Sequence, residues 1–307
     1  MLYETPVVFW SNGISLVGRF YRNTSSIEDR QATIIVTGSW LTVKEQMPAV
    51  YAKRLAEAGY TAFTFDFSGF GESHGIPQQA EIPERKINDI IAAAEFIATM
   101  SFVDRNKIGH LAICASAQYA LAAIARGAGT NSFASIAGWF HDAKSVSAFY
   151  GGADGVALRI GRAREAVERY IKSGEVTIVP AYEAGDDRAG MFFPLDYYAN
   201  TDRGAIHAWK NQMAEMSWLY WLTYDGLSAA DEIITPVLFV HGDECVLPEN
   251  VKNIYARLRG QKEMVWMEGS QVDFYDQPKL VDKAVAAAVS WFDRTLRKGK
   301  EDILKVA

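Results

Sequence analysis

Apolar positions along the chain recur with two different periods, and the period switches repeatedly. Residues 6–23 read as two short strands on either side of Asn12-Gly13, which predicts a β-hairpin with a tight turn. Residues 32–40, "ATIIVTGSW", read as a buried strand running into a loop. In 45–60, Val50, Leu55 and Ala58 fall at helical spacing and Gly59 closes the helix. A strand over 61–67 follows, then a Gly-rich loop, "SGFGESHG", then a helix over 84–102 whose Ile87, Ile90, Ile91, Ala94 and Ile97 share a face. "KIGHLAIC" (107–114) is a further strand, "ASAQYALAAIARGA" (115–128) a helix, and 133–140 a strand. This alternation predicts an α/β protein with a mostly parallel sheet and helices on both faces.

The alternation stops at 141. Through 232 the chain is helical and irregular, rich in aromatic residues and interrupted by Gly and Pro, with a charged amphipathic helix at 161–174. Strands resume at 235–243 and 262–267, with a helix over 248–260 between them and a long C-terminal helix over 281–298. The expected organisation is a core domain made of 1–140 and 233–307, interrupted by a cap inserted at 141–232. A length of 307 residues suits one α/β domain with an insertion.

Composition narrows the partners. Net charge is −6 with no basic block, so neither nucleic acid nor an anionic membrane surface is expected. The two cysteines, Cys114 and Cys245, make no disulfide framework and suit a reducing compartment. No run approaches the roughly 20 apolar residues that span a bilayer. The first ten residues show no basic region followed by an apolar core. The expectation is a cytoplasmic protein that needs no metal or cofactor, with a homodimer left open.

The chemistry centres on Cys114, at the break between a strand and a helix. A tight strand–nucleophile–helix turn needs small residues two before and two after the nucleophile, because the two backbones nearly touch. Those positions hold Ala112 and Ser116. The helix N-terminus behind Cys114 favours a thiolate and aims backbone N–H groups at an oxyanion. The alternative is that Cys114 is a small apolar residue buried at a strand end.

Several stretches resemble one family. "TGSWLTVKEQMPAVYAKRLAEAGYTAFTFDFSGFGESHG" (37–75) is similar to the strand–helix–strand region of dienelactone-hydrolase-like α/β-hydrolases, in the branch that includes fungal polyketide transferases. "GHLAICASAQYA", "YYANTDRG" (197–204) and "GSQVDFYDQP" (269–278) resemble further pieces of it. The resemblance implies an α/β-hydrolase fold with a mostly parallel twisted sheet and a largely helical cap. It implies an oxyanion hole from the N–H of Ala115 and that of Ser39 or Trp40.

It also implies a histidine and an acid that the chain lacks at the usual places. Where the family pattern resembles Gly-x-x-His followed by Asp and Tyr, this chain has Gly269, Ser270, Gln271, Val272 and then Asp273. Gln271 can orient a substrate or a water but cannot act as a general base. The acid position holds Cys245, with Asp243 and Glu244 as displaced substitutes or solvated loop residues. Of the five histidines, His141 follows the strand beside the elbow strand and is expected to face Cys114, as a base or as a hydrogen-bonded wall residue.

A cysteine tolerates a missing base better than a serine, whereas hydrolysis of the resulting thioester needs an activated water. The cap offers an apolar and aromatic lining, with Trp139 at its entry and Trp218 within it. The expected function is handling of an ester, thioester or lactone of a hydrophobic acyl or polyketide-like group through Cys114, by hydrolysis, acyl transfer or cyclisation, a chemistry of secondary metabolism. The expected constellation is Cys114, His141 and Asp243, with substrate against Gln271, Trp139 and Trp218. The alternative is a degenerate member that binds or shapes a ligand without covalent chemistry.

Overall fold

The computed structural model describes residues 1–297. Strands β1 (Tyr3–Ser11) and β2 (Ile14–Arg22) form the hairpin, with Val8 opposite Val17. Asn12 and Gly13 both have positive φ, +46° and +78°, the turn that an Asn-Gly pair favours. Then come β3 (Gln31–Thr37), α1 (Met47–Glu57), β4 (Thr61–Phe65), α2 (Pro83–Ala98), β5 (Val103–Ile113), α3 (Ser116–Ala125) and β6 (Ser132–Ile136). Residues 141–232 hold α4 (Ala143–Val146), α5 (Gly152–Ser173), β7 (Ile178–Val179), α6 (Asp196–Ala199), β8 (Met213–Ala214) and α7 (Ser217–Leu222). The chain closes with β9 (Val237–His241), α8 (Pro248–Arg257), β10 (Lys262–Trp266), α9 (Asp273–Asp276) and α10 (Pro278–Phe292), followed by one wider helical turn at Asp293–Arg297. Lys298, the end of the expected last helix, and the final stretch of the expected core domain to residue 307 lie outside the described residues.

Eight strands form one sheet in the order β1-β2-β4-β3-β5-β6-β9-β10, with β2 antiparallel to both its neighbours and all pairs from β4 to β10 parallel. Residues 141–232 add no strand to it; β7 and β8 pair with each other. Helix α1 packs on β3 and β4 and against α10, while α2 and α3 pack together on β1 and β5. Strand order runs outward from β3 to β4 and then back across to β5. Right-handed crossovers therefore put α1 and α2 on opposite faces, and the loops after β3 and β5 diverge over a crevice. The chemistry-bearing residues sit at this switch point, with Thr37 paired to Ala112 at the ends of the two strands.

Two local details shape the site, and the first differs from the sequence expectation. The strand expected over 133–140 ends at Ile136, because Ala137 turns left-handed at φ +44°. Gly138 follows where an added Cβ would lie 2.2 Å from Ser135 Oγ. His141 therefore stands beyond a turn and not at a strand end. The second detail is a buried tie between the loops after β3 and β4. The Lys44 N–H and Nζ donate to the two carboxylate oxygens of Asp66 at 2.8 and 2.7 Å, and Nζ also meets Glu45 at 2.8 Å. Gln46 extends it, accepting from Val43 N–H and donating to the Gly204 carbonyl at 2.6 Å.

Candidate active site

Cys114 occupies the turn between β5 and α3 in left-handed backbone, φ +56°. For a residue with a Cβ this conformation costs on the order of 1–3 kcal/mol and persists only where the surroundings impose it. A buried chain of hydrogen bonds does so. Thr37 Oγ1 donates to Ser116 Oγ at 2.9 Å, and Ser116 Oγ donates to the Ile113 carbonyl at 3.2 Å. With its proton so used, Thr37 accepts from His110 Nε2 at 2.8 Å. Burial pushes the His110 pKa down to about 3, so the ring is neutral. Ser116, in place of the usual glycine, fastens the helix start to the residue before the nucleophile position.

The Cys114 sulfur is buried, and burial pushes its pKa up. The Ser39 and Tyr275 hydroxyls, the Ala115 N–H and the Gln271 side chain lie near it and oppose that shift. They come from three separate loops. Tyr198 OH donates to Ser39 Oγ at 3.0 Å, Ser39 Oγ and Tyr275 OH lie 3.3 Å apart, and Gln271 Nε2 donates to Tyr275 OH at 3.3 Å. Burial raises both tyrosines well above the ordinary phenol value, so they act as neutral hydroxyls. Tyr198 and Tyr275 were not singled out as site residues from sequence; the aromatic in the "DFYD" frame was the one available signal for Tyr275. The Ser39, Trp40 and Ala115 amides donate to no protein acceptor among the described residues, which leaves three N–H groups at the crevice.

Gln271 stands where the histidine is missing and is held on every side. Besides Tyr275, its Nε2 donates to the Ala137 carbonyl at 2.7 Å, and its Oε1 accepts the Val246 N–H at 3.1 Å. Cys245, at the acid position, is buried and its thiol is pushed up to about 12, chiefly by burial. Asp243 and Glu244 are exposed, so the solvated reading applies to both; Asp243 does not reach the site.

His141 does not line the cavity over Cys114. Its Nδ1 accepts the Trp139 indole N–H at 2.7 Å, which puts its proton on Nε2, and Nε2 then donates to the Trp221 carbonyl at 2.8 Å. Both nitrogens are engaged, and burial lowers the pKa to about 4. It is the hydrogen-bonded partner of a wall residue, behind the surface that a ligand would touch.

A cavity of about 110 Å³ opens over Cys114. Trp40, Trp139, Phe149, Tyr150 and Trp221 form much of its wall, and Phe193, 41% exposed, marks its mouth. Trp40 stacks on Trp221 with centroids 4.5 Å apart. Trp218 is not on this wall. It is fully buried, packed edge-on against Tyr150 at 4.9 Å and beside Trp40, so it supports the wall from behind. Among the described residues no cluster of three or more His, Cys, Asp or Glu side chains could hold a metal, and no helix is long and apolar enough to cross a membrane.

A nucleophile-type turn at the switch point of this sheet, with an oxyanion-type crevice beside it, is the architecture of an α/β hydrolase. The protein YcjY of Escherichia coli (strain K12) is 31% identical over 300 residues, covering 92% of this chain and 95% of that protein. The crystal structure of hypothetical protein PA2218 from Pseudomonas aeruginosa superposes with a TM-score of 0.82 at 25% identity, covering 96% of this chain and 94% of that one. Polyketide transferase claH of Penicillium crustosum is 32% identical over 123 residues, 40% of each chain. No family model matches. The chain belongs to the α/β-hydrolase superfamily.

Proposed function

We propose that the protein is an acyl-transfer enzyme that carries a hydrophobic acyl group as a thioester on Cys114. The observation that supports this most is the combination at one sulfur: a strained left-handed cysteine, four polar groups near it, and a carboxamide where a histidine would stand. The Cys114 sulfur attacks the carbonyl carbon of an ester or thioester donor. The developing oxyanion is met by the N–H of Ala115 and that of Trp40 or Ser39. The bond to the leaving group breaks, and the proton lost by Cys114 passes through the Ser39 or Tyr275 hydroxyl to the departing thiolate or alkoxide. An acceptor thiol, partly ionised near neutral pH as water and alcohols are not, then attacks, and its proton returns to Cys114. Each exchange is proton-neutral, so no group need hold a proton between steps.

Water is a poor acceptor here. Hydrolysis requires a base to take a proton from water, and losing base catalysis typically costs about 10²–10⁴-fold. Segment 141–232 acts as the cap, with Trp139 and Gln271 against the substrate. The similarity to a polyketide transferase supports an apolar acyl donor. A second reading, ligand binding without covalent chemistry, is favoured by one observation, the raised pKa of the buried thiol.

Intact-mass measurement with a panel of acyl thioesters tests the proposal. An acyl adduct that forms on the protein, is lost in Cys114→Ala and is discharged faster by an added thiol than by water is the expected result. No adduct with any donor on a folded protein would leave the second reading.

A further inference from the structure

The tryptophans Trp139 and Trp221 of the wall over Cys114 have their indole N–H groups bonded within the protein, that of Trp139 to His141 Nδ1 and that of Trp221 to Tyr150 OH at 3.2 Å. Trp40 Nε1 is buried and offers no donor at the surface. His141 also donates from Nε2 to the backbone of Trp221, and its ring packs 4.4 Å from the Trp221 ring. It is fastened itself: its N–H is accepted by Gln118 Oε1 at 3.2 Å and its carbonyl takes the Gly226 N–H at 2.7 Å. Trp139 and Trp221, 5.5 Å apart, therefore hang on one neutral imidazole that touches both.

We propose that His141 is the positioning residue of an acyl pocket selective for short, uncharged acyl groups, its role being to hold Trp139 and Trp221 with only ring surface toward the ligand. This rests on the acyl-transfer reading above and narrows its substrate class. Two arguments set the class. An apolar cavity of about 150 Å³ holds benzene, so about 110 Å³ holds roughly four or five carbon atoms. A carboxylate at the far end of the acyl group would meet the aromatic wall, which carries no cation and whose Trp139 and Trp221 indole N–H groups are taken, and an unpaired charge there is strongly disfavoured. The pocket thus selects by length and by absence of charge, with no polar readout at its far end.

The test measures single-turnover acylation of Cys114 by N-acetylcysteamine thioesters of acetyl, butyryl, hexanoyl, decanoyl and succinyl groups, read by intact mass. The butyryl donor is expected to exceed the decanoyl and succinyl donors by about tenfold or more, the scale on which apolar pockets discriminate. His141→Phe keeps a ring against Trp221 but removes both hydrogen bonds. It should flatten the butyryl-to-decanoyl ratio while leaving the iodoacetamide alkylation rate of Cys114 unchanged. His141→Gln, which retains an acceptor and a donor, should restore part of the selectivity and serves if the phenylalanine variant does not fold. Equal rates for butyryl and decanoyl in the wild type, or an unaltered ratio in both variants, would overturn the proposal. If no donor acylates Cys114, the acyl-transfer reading has failed, and the pocket is then read without chemistry. Tryptophan fluorescence of Cys114→Ala should report N-butylacetamide in preference to N-decylacetamide, and the reverse order would remove the short-acyl pocket as well.

Discussion

Gln271 accepts the backbone N–H of Val246 at 3.1 Å. The loop after β10 and the loop after β9 thus meet through an uncharged bond, at the place where this fold ordinarily joins an imidazole to a carboxylate. A carboxamide held by Val246, Ala137 and Tyr275 can orient but not take a proton. Gln271→His should raise the steady-state release of acyl groups to water by about tenfold, a fraction of full base catalysis because no acid orients the new ring. The check is p-nitrophenyl acyl ester turnover after the initial burst; an unchanged steady rate in a folded variant would show that the missing base is not what limits hydrolysis.

The Ser39 and Tyr275 hydroxyls lie near the Cys114 sulfur and favour its charged form. Ser39→Ala or Tyr275→Phe should each slow acylation at neutral pH by about tenfold, the size of one lost hydrogen bond to a charged group. Tyr198→Phe, which touches Ser39 and not the sulfur in the assigned hydrogen bonds, should cost less. Single-turnover acylation rates of the three variants decide this.

Both cysteines have thiols raised by burial, but Cys245 is pushed up to about 12 while Cys114 has four opposing groups. Iodoacetamide should label Cys114 before Cys245. Since the thiolate is the nucleophile and the Cys114 pKa lies above the ordinary thiol value, labelling should climb from about pH 7 to about pH 9 without a plateau. Peptide mapping of the alkylated protein reads both statements.

Lys44 and Asp66 are almost wholly buried against each other. Lys44→Met strands the carboxylate and should destabilise the protein by about 3–5 kcal/mol. Lys44→Met with Asp66→Leu should recover only part of that, because the Lys44 and Glu72 backbone N–H groups then lose their carboxylate acceptor. Chemical denaturation of the single and double variants measures the difference.

Three histidines are buried neutral, with pKa values lowered by burial to about 3 at His110 and about 4 at His141 and His241. Above the ordinary value of 6.5 folded and unfolded chains carry the same protons at these sites. Below it the unfolded chain binds protons that the folded chain does not, so stability is lost as the pH falls from about 6.5 toward about 4. Replacing His141 with Gln should flatten that slope in a pH series of guanidinium titrations.

The sheet was legible because each of its elements carries its own periodicity. β3, β5 and β9 read as apolar runs, and α2 as a stripe of isoleucines. The end of β6 was not legible, since Ala137 turns left-handed without a glycine or asparagine to announce it. Beyond that turn His141 is hydrogen-bonded to Trp139 and to the Trp221 backbone, the wall alternative to a base. Trp139 and Trp218 look alike in sequence, and only packing separates the one that faces the cavity from the one that supports it. The hydroxyls that gather at Cys114 come from positions with no local link, and no pattern within a short window connects them.

Ser39 bonds to Tyr198, 159 residues further along the chain, and approaches Tyr275, 236 residues along. Loops that distant come together only when nearly the whole polypeptide has condensed. A partly folded chain therefore has a thiol at Cys114 but not its hydroxyl partners. The surroundings of that sulfur are therefore a property of the condensed chain as a whole, and no fragment that lacks either Ser39 or Tyr275 can reproduce them.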